Sequence, residues 1–287
     1  MVYKMGLIKT TAVHESKPLT SNQNATLQIP AYGKIQSMLL QFVDSSGEPV
    51  TEAQIRAEIG NIRLTIGGRD VINASASKIL DLYETLGVNV SEDAGVAGVM
   101  ELNVGRLIYT DPAARDILGF GTADVNSIQI QVTAGTLSNI ASVEAVTTRQ
   151  NVNENLGAFC RFINYPQNFN STGDNTVDTL PRDIKSSYLL AMVDDGASGT
   201  ITHGEARVNS AVLVERCPLN VNKVILSNDR FKQPSGYFVY AFNDGAFTTN
   251  LPMKGVSDFR LVNTFGVAPG ASGYNISTLT VENFPSV

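Results

Sequence analysis

The residues closest to a metal site run from Asp194 to Glu205. Asp194 stands first, Ser198 fifth, Gly199 sixth and Glu205 last in a twelve-residue span. Carboxylates at the first and last positions around a central glycine are the pattern with which a loop wraps calcium. Position three is Gly196 rather than a ligand, and the flanking segments read as strands rather than helices. A hairpin loop rich in Gly and Ser accounts for the same letters, because turn chemistry demands them. Structural calcium on Asp194, Ser198 and Glu205 is therefore the one cofactor expectation, and no other metal ligand set emerges.

Catalytic groups are sparse. His14-Glu15 lacks the second histidine of a zinc motif, and His203 beside Gly204 reads as a turn residue. There is no Gly-x-Ser-x-Gly elbow, no Walker loop and no Cys-x-x-Cys. Cys160 and Cys217 are expected as two free, buried thiols, since no export signal precedes them. Carboxylate pairs for glycoside hydrolysis cannot be judged without distances. The expectation is no catalytic residue and no enzyme.

The chain of 287 residues carries 27 acidic and 21 basic side chains, for a net charge of −6, with no dense Lys/Arg run. Direct wrapping of nucleic acid is excluded on that balance. With 43% hydrophobic and 17% charged residues the composition is that of a folded protein, long enough for two cores. The apolar run Met5 to Ile8 is too short for a signal core or a membrane span, so synthesis in a cytoplasm is expected.

The elements that would position any site are mostly strands. Ile62-Arg63-Leu64-Thr65-Ile66 and Ile128-Gln129-Ile130-Gln131-Val132 alternate with period two, each predicting one buried face. Tyr237 to Phe242 is apolar on both faces and predicts a central strand, or one covered by a subunit contact. Val208 to Glu215, Asp258 to Val262 and Ile276 to Val281 read as further strands. Ile79, Leu82, Tyr83 and Leu86 have helical spacing, with Ser75 or Ser77 to cap the start and Gly87 to close the end. Asp111-Pro112 signals a second short helix ended by Gly119.

One segment occurs twice. Ser37-Met38-Leu39-Leu40-Gln41-Phe42-Val43-Asp44 returns as Ser187-Tyr188-Leu189-Leu190-Ala191-Met192-Val193-Asp194, with Ser, Leu, Leu, Val and Asp matched. A strand repeated half a chain apart predicts two similar all-β domains. The repeat extends loosely from Leu107-Ile108-Tyr109-Thr110-Asp111 to Phe238-Val239-Tyr240, and from Val125–Val132 to Val256–Asn263, with shorter loops in the second copy. Residues 1–24 read as an N-terminal arm outside the first core, 25–149 as the first domain and 150–287 as the second. The Asn-rich stretch of about 150–178 is the crossing, with Ala158 to Ile163 the opening strand beyond it. Asp44 and Asp194 are expected to start turns.

These residues resemble the double jelly-roll major capsid proteins of tailless icosahedral, internal-membrane-containing bacteriophages, of the corticovirus type. The resemblance lies in Leu27-Gln28-Ile29-Pro30 leading to Ile35–Val43, the Ile62–Gly68 hairpin strand, the Ile79–Leu86 helix and Thr179-Leu180-Pro181-Arg182. It covers most of residues 25–287. It implies an all-β fold of two tandem eight-stranded jelly-roll β-sandwiches with short helices in loops. It further implies a homotrimer forming a pseudo-hexagonal capsomer that packs against neighbouring capsomers and a vertex (penton) protein. The internal membrane or its proteins would be met through the N-terminal arm, and the protein would reside in the virion capsid. The rival reading is a tandem β-sandwich module of a phage fibre or adhesin that binds carbohydrate or a receptor. The absence of tryptophan counts against it, since sugar platforms depend on large aromatics.

Overall fold

The computed structural model describes residues 9–88, 96–108, 112–243 and 250–283. The chain divides into two compact units, Met1–Tyr83 with Val88–Arg161 and Glu84–Gly87 with Phe162–Val287.

The first unit contains β1 (Lys9–Val13), β2 (Lys17–Pro18), β3 (Asn24–Ile29), β4 (Lys34–Val43), β5 (Ile59–Ile66), β6 (Arg69–Ala74), β7 (Val99–Glu101), β8 (Phe120–Gly121), β9 (Ile128–Ala134) and β10 (Ser142–Gln150). One sheet runs β1-β10-β4-β7, with β2 added on β10 and β8 on β4, and the second path runs β3-β9-β5-β6. If the eight principal strands are lettered B to I along the chain, these orders are B-I-D-G and C-H-E-F. That is the double Greek key of a jelly roll. The alternation in β5 and β9 sets its inner face: Ile62, Leu64, Ile66, Ile128, Ile130 and Val132 are buried, while Arg63 and Gln129 point to solvent. Gly67 and Gly68 turn the β5–β6 hairpin with φ of 57° and 78°, the left-handed pair a tight hairpin requires.

The second unit repeats the plan with β11 (Phe159–Gln167), β12 (Gly173–Val177), β13 (Ser186–Asp194), β14 (Thr200–Val208), β15 (Ala211–Pro218), β16 (Tyr237–Ala241), β17 (Leu251–Pro252), β18 (Phe259–Val267) and β19 (Tyr274–Glu282). Its sheets run β11-β19-β13-β16 and β12-β18-β14-β15, with β17 added on β13. With β17 set aside, these are again B-I-D-G and C-H-E-F. The repeated octapeptides therefore lie on β4 and β13, the same D strand of each barrel. The Val125 and Val256 segments likewise lead into the two H strands, β9 and β18.

With no tryptophan, the second core is filled by smaller aromatics. Tyr188 meets Phe259 with ring centroids 5.0 Å apart, Phe238 meets Tyr240 at 4.8 Å and Phe265 meets Tyr274 at 4.9 Å. The three tyrosine hydroxyls are satisfied, Tyr188 donating to Pro181 O at 2.8 Å, Tyr240 to Asn263 Oδ1 at 2.8 Å and Tyr274 to Asn175 Oδ1 at 2.6 Å. Gly204 lies under this cluster, where a Cβ would stand 2.4 Å from the Phe238 ring.

Helices connect F to G in both barrels: Ala76–Thr85 in the first chain segment and Leu219–Asn228 in the second. The former is the expected amphipathic helix, with Ile79, Leu82 and Tyr83 buried, Ser75 Oγ accepting from Lys78 N and Gly87 at φ 67°. Pro112–Ile117 is the second short helix, closed by Gly119 N donating to Asp116 O at 3.1 Å. Its expected cap, Asp111, lies outside the described residues.

Five expectations are corrected. Residues 9–24 are not a free arm, although none of their side chains is buried: Lys9–Val13 pair with Gln150–Val146 as an antiparallel strand, and β2 continues along β10. As the outermost strand, β1 exposes most of its side chains, so its polar sequence carries no alternation to read. The crossing shrinks to residues 151–158, because β11 and β12 already occupy 159–177. Val208–Glu215 is not one strand but straddles the β14–β15 turn, where Asn209 and Ser210 adopt φ of 48° and 71° without a glycine to announce it. Leu107 and Ile108 belong to the helix Val104–Ile108, while Tyr109 to Asp111 lie outside the described residues. The first-barrel counterpart of Tyr237–Ala241 is instead Val99–Glu101, the other G strand. Finally, β16 is an edge strand rather than a central one, pairing among the described residues only with β13.

Candidate functional site

The span expected to hold calcium is pulled apart by the sheet. Asp194 ends β13 and its Oδ1 accepts from Gly196 N at 3.2 Å and Asn275 N at 2.8 Å, while Oδ2 accepts from Asn275 Nδ2 at 3.0 Å. Ser198 Oγ donates to Ala268 O at 3.3 Å. Glu205 lies in the middle of β14, five residues past its start at Thr200, about 17 Å along the strand at the usual rise. There it pairs with Arg207. The hollow of about 480 Å³ beside Asp194 is lined by Asp195, Ser235, Ser272 and Asn275, without Glu205. Among the described residues no three His, Cys, Asp or Glu side chains converge as metal ligands.

Each histidine lies beside a threonine hydroxyl, and His203 is one register position from Cys217 across the β14–β15 pair. His14 Nε2 lies 2.9 Å from Thr147 Oγ1 in the first unit, and burial followed by the Arg149 charge holds its imidazole below the ordinary value. His203 is in β14 of the second unit, its Nδ1 3.1 Å from Thr202 Oγ1. Cys160 and Cys217 are free and buried. Burial pushes the Cys160 thiol up to about 12, which removes it as a nucleophile at neutral pH.

Sequence reasoning missed the charged groups that the structure does bury. Glu58 closes the helix Glu52–Glu58 and gathers the H–I turn: Ser138 N, Asn139 N, Ile140 N and Asn139 Nδ2 all donate to its carboxylate. Burial pushes that carboxyl up, but these donors outweigh it and hold it below the usual range. Glu101 on β7 accepts from Ser37 Oγ at 2.5 Å, Met38 N at 2.9 Å and Asn103 N at 2.9 Å, with Arg106 Nη1 at 3.6 Å. Here burial prevails and the carboxyl is raised. Its bonds to Ser37 and Met38 fasten the G strand to the D strand.

Arg149, fully buried at the end of β10, donates from Nη1 to Pro30 O at 2.6 Å and Tyr32 O at 2.8 Å, and lies 4.2 Å from the Tyr32 ring centroid. It fastens the turn between β3 and β4. The spacing that would have revealed Glu58 and Arg149 does not exist in sequence, because their partners are 80 or more residues away.

Among the described residues the exposed large apolar side chains concentrate on one stretch of the second unit, Val212, Leu213, Val221, Val224 and Ile225. No described helix is long and apolar enough to cross a membrane.

The comparisons agree with this division of the chain. Residues 13–149 match the family model of the viral coat protein P2 N-terminal domain, and residues 159–279 match that of its C-terminal domain. Among solved structures, the major capsid protein P2 from bacteriophage PM2 is similar with a TM-score of 0.80 at 13% identity, covering 97% of this chain and 98% of that one. The atomic structure of Sulfolobus turreted icosahedral virus gives 0.68 at 14% identity, covering 95% and 90%. The PBCV-1 virus capsid gives 0.61 at 9%, covering 98% and 95%. At such identities these structures speak for the fold, the double jelly roll. No curated protein sequence matches. With both domain models matched in order, one to each barrel, the chain belongs to the viral coat protein P2 family.

Proposed function

We propose that this major capsid protein assembles as a homotrimer, a pseudo-hexagonal capsomer that tiles an icosahedral shell over an internal membrane. The observation that carries the reading is the tandem B-I-D-G and C-H-E-F sandwiches: one chain supplies two barrels of the same plan, so three chains supply six. A trimer of such chains can take hexagonal neighbours without needing six identical subunits. A net charge of −6 suits a shell that lipid separates from the genome, with no direct nucleic-acid contact. The N-terminal residues ahead of β1 are the segment assigned to the membrane or its proteins, and a separate vertex protein would close the five-fold positions. The role is structural rather than enzymatic, since the buried carboxylates are consumed in packing.

The fibre or adhesin reading is not retained, because the family is one of coat proteins. Light scattering on the purified protein tests the proposal. The expected mass is three times that of the chain, and a stable monomer at high concentration overturns it.

A further inference from the structure

The F–G connections of the two barrels differ in what they leave uncovered. In Ala76–Thr85 the apolar side chains Ile79, Leu80, Leu82 and Tyr83 are all buried within the chain. In Leu219–Asn228 only Asn222 and Leu226 are buried, and Val221, Val224 and Ile225 are 49%, 62% and 47% exposed. The adjacent β15 is the outer strand of its sheet and exposes Val212 at 50% and Leu213 at 47%. Between strand and helix lies a groove of about 580 Å³ whose apolar walls Leu213, Ile225 and Tyr240 are rimmed by the charged Glu215, Arg216 and Asp229.

This face is not a by-product of a loose helix. Asn222 holds the helix to β16 by donating to Val239 O at 2.8 Å, and to Gln233 Oε1 at 2.7 Å. The apolar residues are thus displayed on a fixed scaffold. The five side chains are each about half exposed, a patch of the few-hundred-Å² size that marks interaction sites rather than scattered surface residues. A specific interface of about 800 Å² per partner, somewhat over half of it non-polar, needs about that much.

We propose that the face formed by β15 and the helix Leu219–Asn228 is a contact surface for a second copy of this chain in the trimer. The occupant is argued from the repeat and the area: the equivalent helix of the first barrel buries its apolar side chains within the chain, whereas the second-barrel face stays bare and offers about the apolar area that one side of a subunit contact needs. In a three-fold ring the contact is heterologous, so this face meets a different patch on the next subunit. The inference rests on the trimer reading above and specifies where the subunits meet.

The test compares full-length wild type with Val221→Asp/Val224→Asp and with Ile184→Asp, an exposed apolar position outside the face. Light scattering across a dilution series reads mass, and circular dichroism reads folding. The expected result is a folded double variant whose trimer dissociates at concentrations at least about tenfold higher than wild type, with Ile184→Asp unchanged. A double variant as trimeric as wild type overturns the surface assignment, whereas a monomeric wild type overturns the trimer reading itself. Intact trimers that fail only to form shells would place the face between capsomers and also overturn the assignment. Should the charged variant not fold, Val221→Ser/Val224→Ser carries the same measurement without burying a charge. Hydrogen exchange of residues 212–226 in wild type should slow on trimer formation, and equal exchange in monomer and trimer counts against the proposal.

Discussion

Asp44 directly follows the D strand of the first barrel, Asp194 ends that of the second, and each carboxylate accepts from the backbone N–H two residues on. Asp44 Oδ1 accepts from Ser46 N at 2.8 Å and Glu48 N at 3.0 Å, and Asp194 Oδ1 accepts from Gly196 N at 3.2 Å. Each carboxylate supplies an acceptor to backbone N–H groups that the sheet no longer pairs. The copies then diverge, because Asp194 also binds the backbone and side chain of Asn275 at the start of β19.

Substitution should separate the two. Asp194→Ala is expected to lower unfolding stability by about 2–3 kcal/mol, since it leaves Asn275 N and Gly196 N without their charged acceptor. Asp44→Ala, in an exposed turn, should cost much less. Urea unfolding of the two variants reads the difference, and equal losses would contradict the assigned roles.

Glu58 and Glu101 should respond to pH with opposite signs. The Glu58 carboxyl is lowered in the folded protein, so its contribution is present above the unfolded value and is lost as pH falls through the folded value. Glu101 is raised, so its contribution is complete below the unfolded value and is lost as pH rises through the folded one. The stability gap between wild type and Glu58→Gln should therefore shrink on acidification from pH 7, while the gap for Glu101→Gln should widen. Thermal melts over a pH series measure both, and gaps of the same slope would refute the pair.

The outer edge of β16 is closed by side-chain amides. Asn222 Nδ2 donates to Val239 O, and Val239 N donates to Gln233 Oε1 at 3.4 Å. Such groups stand in for a missing neighbour strand and keep the edge from recruiting another chain. Asn222→Leu should cost about 1–3 kcal/mol by leaving that carbonyl unpaired. Faster amide exchange at Val239, with little change at β19, is the accompanying signature.

Truncation tests the position of the N-terminal strand. Removing residues 1–8 leaves β1 intact and serves as the reference. Removing residues 1–20 strips β1 and β2 from β10 and should lower the melting temperature clearly. Equal melting temperatures for the two truncations would return residues 9–20 to the role of a free arm.

Much of the fold was legible because its signals are local. The period-two runs at Ile62 and Ile128, the helical spacing of Ile79, Leu82 and Tyr83, and the repeated D strand each specify a buried face within a few residues. The edge strands β1 and β15 and the glycine-free turn at Asn209-Ser210 were not, since an edge buries little and so imposes little pattern. The candidate site shows the same limit. Asp194 and Glu205 have calcium-loop spacing, yet the extended β14 carries Glu205 away from Asp194.

By itself the chain determined two similar all-β domains, their D strands, the first F–G helix and the poverty of catalytic groups, all of which follow from short-range periodicity and composition. Only the tertiary structure decided which strands lie at edges, that Glu58, Glu101 and Arg149 are buried fasteners, and that one F–G helix is covered while the other is bare. Those properties depend on antiparallel pairing between segments far apart in sequence, where strand register rather than residue spacing sets which side chains meet.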